Sequence, residues 1–268
     1  RSRALGLGVC IDLVLNHVAV DSELARTCPH WIVCDENESD GMKRAGFQHS
    51  EGWHSWRDLV LLNYDHPDPE TRQTIWNYME SYALYWARYA AYTGGMVRLD
   101  NLHSTRASFA RHMTQRLRCS FPDLAILGEY FATSEASVEL MRRCEIDLIL
   151  ATPWEHHFAH ELRNYLLFLH TQDPFIPWFC PVNTHDSGTP AQEFLSVLAT
   201  RPRYLISACL GTGATGMTQG VERGLLQKAQ FIGPDPQLRF ADACDFHDII
   251  RRINYWVANC RAFQQGSS

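Results

Sequence analysis

Three acidic residues stand where apolar segments of the sequence turn polar, and their positions suggest shared chemistry. The three residues are Asp100, Glu129 and Asp186. A carboxylate without a partner is costly to bury, so each acid needs a counter-charge, solvent or a function. Taken singly, each could cap a helix or form a salt bridge in a loop. Three such acids at the ends of strands in one sheet point instead to a common site.

Three converging acids without a metal-ligand pattern suit the cleavage of a glycosidic bond. One ionised carboxylate attacks the anomeric carbon, while a second carboxyl group, held protonated, donates to the leaving oxygen. Arg98 lies two residues before Asp100 on the same strand face and favours the ionised nucleophile. Glu129 is the expected acid, since its apolar neighbours in the sequence favour the protonated form. Asp186 would hold substrate hydroxyls and stabilise positive charge in the transition state.

Other side chains could bind a polyhydroxylated substrate. His17 and His185 could bond sugar hydroxyls as neutral donors and acceptors. For Asp12, in the first apolar segment, we expect a structural role in bonding loop amides. Three aromatic residues could stack on sugar rings, although core packing explains them equally well, namely Trp31, Trp53 and Trp56.

The elements that must position these residues alternate between strand and helix patterns. Strands are predicted at 8–16, 96–100, 124–131, 146–151, 178–186 and 212–220, and the first reads as buried on both faces. Between and after them, helices are predicted at 105–118, 134–143, 156–169, 190–199 and 246–262. This alternation indicates βα units and a parallel sheet. In a barrel of such units the carboxyl ends of the strands meet on one face, where chemistry takes place.

A further helix between the first two strands has the clearest signals. Asp68 can cap it, Pro69 suits its first position, and Gly94 with Gly95 ends it. Apolar side chains at spacings of four and three residues predict its buried face, namely Ile75, Met79, Tyr82, Trp86 and Tyr89.

Composition limits the class of protein. The chain has 268 residues with 46% hydrophobic and 20% charged residues and a net charge of −6, which is ordinary for a globular protein. We expect residues 1–268 to form a single catalytic barrel domain, with 19–66 as a small inserted subdomain or an active-site loop. The basic residues form no stripe, so we expect no nucleic-acid partner. No apolar run approaches the length of a membrane span.

The nine cysteines are scattered and include no CxxC pair. Reduced, buried thiols in a cytoplasmic protein are the simplest interpretation. Cys28 and Cys34 could pair, but no pattern requires it.

Four motifs in order resemble those of the α-amylase superfamily of retaining glycosidases and transglycosidases. The motifs are "DLVLNH" (12–17), "VRLDNLHS" (97–104), "ILGEYF" (126–131) and "VNTHD" (182–186). The segment "TGATGMTQGVERG" (212–224) is similar to the one that the family uses for its eighth strand. The resemblance implies an α/β fold of the (β/α)8 type with a covalent glycosyl-enzyme intermediate. It also implies a role for each matched residue: Asp100 as nucleophile, Glu129 as acid/base, Asp186 as transition-state stabiliser, and His17, Arg98, His103 and His185 as substrate-binding residues.

The second motif narrows the resemblance. Asp-Asn-x-His-Ser at 100–104 is similar to glycogen-debranching glucanotransferase domains and α-glucan maltosyltransferases, and it departs from ordinary amylases. The implied substrate is an α-1,4-linked glucan or maltooligosaccharide, processed by hydrolysis or by 4-α-glucan transfer. No cofactor is required on this interpretation, and calcium is possible near Asn16.

The chain departs from the family in one respect. It starts without a methionine and matches the family fold from the third strand onward, so the first two βα units have no counterpart. An incomplete barrel leaves open edges. We therefore expect a truncated product, a fragment of a longer enzyme, or an oligomer that covers the open edge.

Two alternatives to an active glycan-processing enzyme remain. The chain could be an inactive, carbohydrate-binding remnant that kept the motif residues. It could also be a metal hydrolase that uses the segment 154–161, where His156 and His160 would share one helical face, with His157 and Glu161 on another.

Overall fold

The structure, a computed structural model, describes residues 1–49, 52–131, 134–172, 175–230 and 238–264. The chain divides into two compact units, Arg1–Asp147 and Leu148–Ser268. Each unit combines parallel strands with helices, so the predicted α/β class is confirmed. Within the described ranges, no helix has both the length and the apolar character that a membrane crossing requires.

Unit 1 holds three parallel strands and a small antiparallel sheet. Its strands are β1 (Cys10–Val14), β2 (His17–Ala19), β3 (Arg44–His49), β4 (Gly52–Leu61), β5 (Met96–Asp100) and β6 (Ala125–Gly128). Its helices are α1 (Glu23–Thr27), α2 (Pro69–Tyr92), α3 (Ala107–Ser120) and α4 (Ser134–Cys144). β5 pairs in parallel with β1 on one side and with β6 on the other. The register sets Asp12 opposite Arg98 and Val14 opposite Asp100, so two oppositely charged residues of neighbouring strands lie side by side.

The antiparallel sheet lies within the segment 19–66 and the residues just before it. Its strand order is β2-β4-β3. The register between β3 and β4 shifts between Arg44 and Gly46. A Cβ atom at Gly46 would lie 2.0 Å from the carbonyl oxygen of His54, so only glycine fits this close approach of two backbones.

Helix α2 begins and ends as its sequence signals predict. The Asp68 side chain accepts a hydrogen bond from the Thr71 amide at 2.8 Å, and Pro69 is the first helical residue. The helix stops before Gly94, which takes a left-handed backbone conformation with φ 67°.

The buried face of α2 differs from the predicted one. The residues that face the core are Ile75, Met79, Ala83, Ala87 and Ala90. Trp86 and Tyr89 are each 43% exposed, so their placement on the buried face was wrong. Three alanines let the helix backbone approach the sheet closely, and the bulky rings lie on the flank of the helix. A hydrophobicity pattern cannot separate these two stripes, because alanine and the aromatic residues both count as apolar.

Within the described part of the chain, β1 lies at the edge of the parallel sheet and pairs on one side with β5. The prediction that it is buried on both faces was wrong, because Cys10 and Asp12 are exposed while Leu13 is buried.

Unit 2 has fewer strand residues than predicted. β7 (Leu148–Leu150) and β8 (Trp178–Phe179) pair in parallel. The predicted strand 178–186 is reduced to its first two residues. The predicted Gly-rich strand 212–220 is reduced to one isolated bridge between Phe179 and Ala214.

The helices of unit 2 are α5 (Ala159–His170), α6 (Pro190–Glu193), α7 (Thr200–Leu210), α8 (His247–Asn259) and α9 (Arg261–Gln264). The predicted helix 190–199 ends early, and Leu195 has a positive φ of 52°. α7 has no counterpart among the predicted helices. It contains Pro202, which its first turn tolerates because amides there need no intrahelical partner. Val182, Tyr204 and Ile253 form a core cluster of this unit.

Candidate active site

Arg98 is the centre of a charge cluster in unit 1. Its guanidinium lies 2.6 Å from the Asp12 carboxylate, 2.9 Å from Asp100 and 2.5 Å from Glu129. The contact with Asp100 is the one predicted from their spacing on β5. The other two contacts were not predicted: Asp12 comes from the neighbouring strand in register, and Glu129 directly follows β6. Asp12 thus joins the cluster through Arg98, a partner that the sequence did not indicate.

The charge state of Arg98 follows from these contacts. Burial lowers its pKa, but the negative charges of Glu129, Asp12 and Asp100 outweigh burial, and the net result is a raised pKa. A permanent positive charge therefore lies between the three acids, and its side chain is only 11% exposed.

The immediate surroundings of Glu129 differ from those expected. Its Oε1 atom contacts Arg98, and its Oε2 atom accepts a hydrogen bond from the Asn101 amide at 2.8 Å. Asn101 holds that amide in place through a left-handed conformation with φ 46°. Its apolar neighbours Ile126 and Leu127 are buried, but the two donors stabilise a carboxylate. The apolar neighbours are thus present as expected, and the sequence did not indicate the two donors.

Two predicted substrate-binding histidines lie beside the cluster. Burial lowers the pKa of His17, opposed by the charges of Asp100 and Asp58. Burial also lowers the pKa of His103, opposed by a hydrogen bond with the Glu129 backbone and by Asp100. Both rings are therefore neutral near pH 7, the form that both donates to and accepts from hydroxyl groups.

Each of these rings has an aromatic neighbour. The centroid of His17 lies 5.6 Å from that of Trp56, and the centroid of His103 lies 5.6 Å from that of Phe131. Trp31 is buried and Trp53 is 41% exposed. Of the three tryptophans proposed for sugar stacking, Trp56 is therefore in ring contact with a candidate site residue, His17.

The antiparallel sheet supports the turn that follows β5. Asn101 Nδ2 and Ser104 Oγ both donate to the carbonyl oxygen of Gly46, at 3.3 and 3.4 Å. Because Gly46 must be glycine for its strand to approach β4, this carbonyl is held in a fixed place. Asn101 and Gly46 are positioning residues that sequence reasoning missed.

The remaining predicted residues, His185 and Asp186, belong to unit 2. Their side chains lie 3.2 Å apart and are 48% and 49% exposed. The turn around them is built from local bonds: Thr184 Oγ1 accepts from the amides of Asp186 and Ser187. Lys228 Nζ donates to the carbonyl oxygen of Asp186 at 2.8 Å. His185 also lines a cavity of about 510 Å³ together with Asn183, Thr218, Arg223 and Lys228.

Asn16, the possible calcium ligand, is 2% exposed. Its Oδ1 atom is 2.7 Å from His17 Nδ1, and its Nδ2 atom is the one without a partner in the described residues. Calcium binds oxygen atoms, so Oδ1 is the atom of Asn16 that could hold the ion. Calcium near Asn16 stays a prediction, and we derive no catalytic step through it.

The His-rich segment does not form the helical faces that the metal-hydrolase alternative requires. α5 begins at Ala159, so His156 and His157 precede the helix that carries His160 and Glu161. The described residues contain no group of three or more His, Cys, Asp or Glu side chains placed to hold a metal ion.

The sequence matches no family model and no curated protein. The structure is similar to solved α-amylase-type enzymes at low sequence identity. An Anoxybacillus α-amylase has a TM-score of 0.73 at 16% identity, with 99% of this chain and 60% of that chain covered. A ligand-free cyclic α-maltosyl-(1→6)-maltose hydrolase from Arthrobacter globiformis has a TM-score of 0.69 at 21% identity, with 99% of this chain and 62% of that chain covered. The Nostoc punctiforme debranching enzyme has a TM-score of 0.65 at 15% identity, with 98% of this chain and 60% of that chain covered.

These likenesses confirm the resemblance to α-amylase-type enzymes at the level of the fold. The chain spans about three fifths of the length of these three structures. That coverage fits the predicted incomplete barrel of the (β/α)8 type.

Proposed function

We propose that this chain is a retaining glycosidase or transglycosidase that acts on α-1,4-linked glucans. The observation that carries the proposal is the binding of Asp12, Asp100 and Glu129 by the single guanidinium of Arg98. Two carboxylates on one guanidinium lie close together, which supports the separation of about 5–5.5 Å that retention requires over the wider spacing of inverting enzymes.

In the proposed reaction, an Asp100 oxygen attacks the anomeric carbon, and the bond from that carbon to the glycosidic oxygen breaks. Glu129 gives its proton to the departing oxygen. In the second half, Glu129 takes a proton from water or from a glucan hydroxyl, whose oxygen attacks the anomeric carbon and releases Asp100. Water as acceptor gives hydrolysis, and a sugar hydroxyl gives 4-α-glucan transfer.

The contacts of Glu129 add one requirement to this scheme. Since Arg98 and the Asn101 amide stabilise its ionised form, Glu129 must leave Arg98 and gain a proton before it can act as an acid. Asp186 is the proposed third acid. His17, His103 and His185 are the proposed partners of sugar hydroxyls, with His17 and His103 neutral at pH 7.

The substrate class has support from the matched structures and from the motif at 100–104. The Arthrobacter hydrolase was solved with maltose, and the Geobacillus thermoleovorans α-amylase and the Nostoc debranching enzyme with acarbose. All nine cysteines are free in the structure, which supports the proposal of a reducing, cytoplasmic location.

The test is incubation with maltohexaose, followed by separation of the products by chain length. The expected result is a change in chain lengths that Asp100→Asn abolishes, with the circular dichroism spectrum unchanged. Asp123→Asn is the matched control, because Asp123 is an exposed acid outside the cluster. Activity retained by Asp100→Asn would remove Asp100 from the role of nucleophile.

A second candidate function is an inactive, carbohydrate-binding remnant. The observation that favours it is that both carboxyl oxygens of Glu129 are already held, one by Arg98 and the other by the Asn101 amide. The two candidates differ in one result. The remnant binds acarbose or maltohexaose in calorimetry but changes no chain lengths, whereas the enzyme does both.

A further inference from the structure

The antiparallel sheet of unit 1 carries a row of rings that begins at a candidate site residue. The ring centroid of Phe47 on β3 lies 5.5 Å from that of His54 on β4, and the two rings are nearly parallel, at 16°. The centroid of Phe47 also lies 6.1 Å from that of Trp56, which in turn lies 5.6 Å from that of His17. We call Phe47, His54 and Trp56 the ring platform. Its inner neighbour, His17, is a proposed partner of sugar hydroxyls.

The pairing of β3 with β4 places these rings on one face of the sheet. Phe47 is directly opposite His54 in the antiparallel register, and two residues in such a pair project to the same side. Trp56 belongs to that side because its ring contacts Phe47. Trp53 comes immediately before His54 on β4, so the alternation of side chains along a strand directs it to the opposite side. The platform and Trp53 therefore occupy different faces of one sheet.

The row of rings passes from the interior of the unit to its surface. His17 at the inner end is 9% exposed, and Trp56 beside it is half-buried. Phe47 is 37% exposed, and His54 at the outer end is exposed as well. A chain-like ligand that starts at His17 and runs outward therefore meets Trp56 first and the other two rings after it.

Two connections fix the platform relative to the charge cluster. At the inner end Trp56 contacts His17, and the negative charge of Asp100 opposes the lowering of the His17 pKa by burial, so the proposed nucleophile and this ring lie close enough to interact. On β3, the carbonyl oxygen of Gly46 accepts a hydrogen bond from Asn101 Nδ2 at 3.3 Å. Gly46 directly precedes the platform, and Asn101 directly follows the proposed nucleophile. The rings are thus held in a defined position beside the cluster.

We propose that the ring platform binds the sugar units of an α-glucan that lie beyond the reacting one, an inference that rests on the glucan substrate of the proposed function. The C–H face of a glucose unit is apolar and packs on an aromatic ring, while its hydroxyl groups point sideways toward polar side chains. Phe47 and Trp56 supply such rings, and His17 supplies a polar group at the inner end. Ligand sites combine apolar walls with a few polar groups in this way. Continuity with the charge cluster favours the substrate as the occupant over a protein partner.

The test is calorimetric titration of maltohexaose into Asp100→Asn, a variant that is expected to bind the glucan without turning it over. Adding Phe47→Ala should weaken binding about threefold to tenfold, because it removes one ring contact. Adding Phe47→Tyr instead keeps the ring and should preserve the affinity. Trp53→Ala is the matched control, since Trp53 is 41% exposed on the opposite face and should leave binding unchanged. Circular dichroism checks folding, and Phe47→Leu, which also lacks the ring, serves if Phe47→Ala fails to fold.

Three results overturn the proposal: no measurable binding of maltohexaose, an affinity that Phe47→Ala leaves unchanged, or an equal loss in Trp53→Ala. In the second case the rings only pack the sheet. Turnover by the unaltered chain, measured separately, distinguishes this inference from the proposed function. Turnover with an unchanged affinity in Phe47→Ala removes the platform and keeps the enzyme. Binding that depends on Phe47 without turnover keeps the platform and supports the inactive remnant.

Discussion

The charge cluster of unit 1 and the His185–Asp186 turn of unit 2 carry the predicted catalytic residues in opposite ways. In unit 1, three acids from different segments share one buried cation, and their side chains are between 11% and 40% exposed. In unit 2, Asp186 and His185 are half exposed, and bonds from residues nearby in sequence form much of their turn.

The difference shows how parallel strands and turns build a site. The register of β1 against β5 places Asp12 beside Arg98 whether or not the charges suit each other. Any charge placed there must be balanced within the cluster, so the members depend on one another. The turn makes small, separate contacts, and each of its bonds can be lost alone. Two substitutions in the cluster should therefore change the free energy of unfolding by an amount that differs from the sum of their separate effects. Two substitutions in the turn should have additive effects.

The largest expected effect comes from removing the shared cation. Arg98→Met should lower the free energy of unfolding by about 3–5 kcal/mol, because it leaves three acids together without their partner. It should also abolish the proposed activity. The free energy is obtained from urea unfolding followed by circular dichroism.

The same substitution at an exposed pair controls for the loss of an arginine as such. Arg106 lies 3.1 Å from Asp65, and both side chains are 59% exposed, so Arg106→Met should cost about 0–1 kcal/mol. Adding Asp12→Asn to Arg98→Met should recover part of the lost stability, since it removes one of the mutually repelling acids. An equal loss of unfolding free energy for Arg98→Met and Arg106→Met would show that the acids of the cluster do not depend on Arg98.

A smaller effect concerns pH and the buried histidine beside the cluster. Burial holds the pKa of His17 in the folded chain below its usual value near 6.5. Above about pH 6.5, the His17 imidazole is therefore neutral in both the folded and the unfolded chain. As the pH falls below about 6.5, the unfolded chain takes up a proton that the folded chain resists, and stability is lost. His17→Asn should therefore show a shallower fall in unfolding free energy between about pH 7 and pH 5.5.

The control for this measurement is His185→Asn, which removes a half-exposed ring from the turn. Urea unfolding at each pH gives the slopes for the parent and both variants. If the unfolding free energy of His17→Asn falls with pH as steeply as that of the parent, the buried His17 ring does not cause the pH dependence.

Local signals in the sequence predicted the elements of unit 1 well. Asp68, Pro69 and Gly94 set the bounds of α2, and the strand 96–100 is β5 as predicted. Each of these signals acts within a few residues, through a cap, a fixed φ or a positive φ. The Arg98–Asp100 contact was likewise predictable, since alternate residues of a strand share a face.

The errors arose where a distant segment decides the outcome. Glu129 has apolar neighbours in the sequence, but its contacts are Arg98 on β5 and the Asn101 amide beyond it. Trp86 appeared equivalent to Ala87 in hydrophobicity, but only the smaller residue fits against the sheet. In unit 2, the strand predicted at 212–220 retains one bridge at Ala214. Contacts between segments far apart in the sequence determine these features, and a local sequence pattern does not predict such contacts.

The smallest effect is expected in the turn of unit 2. Thr184→Val keeps the side-chain shape but removes the acceptor for the Asp186 and Ser187 amides, at 3.2 and 3.3 Å. Stability should fall by no more than about 1 kcal/mol, because water can replace the lost acceptor. Thr171→Val, which removes an exposed hydroxyl bonded to the Phe168 carbonyl, is the matched control. If Asp186 takes part in turnover, Thr184→Val should reduce the rate with maltohexaose more than the control does at similar stability. An equal rate in both variants would show that the turn holds Asp186 without help from Thr184.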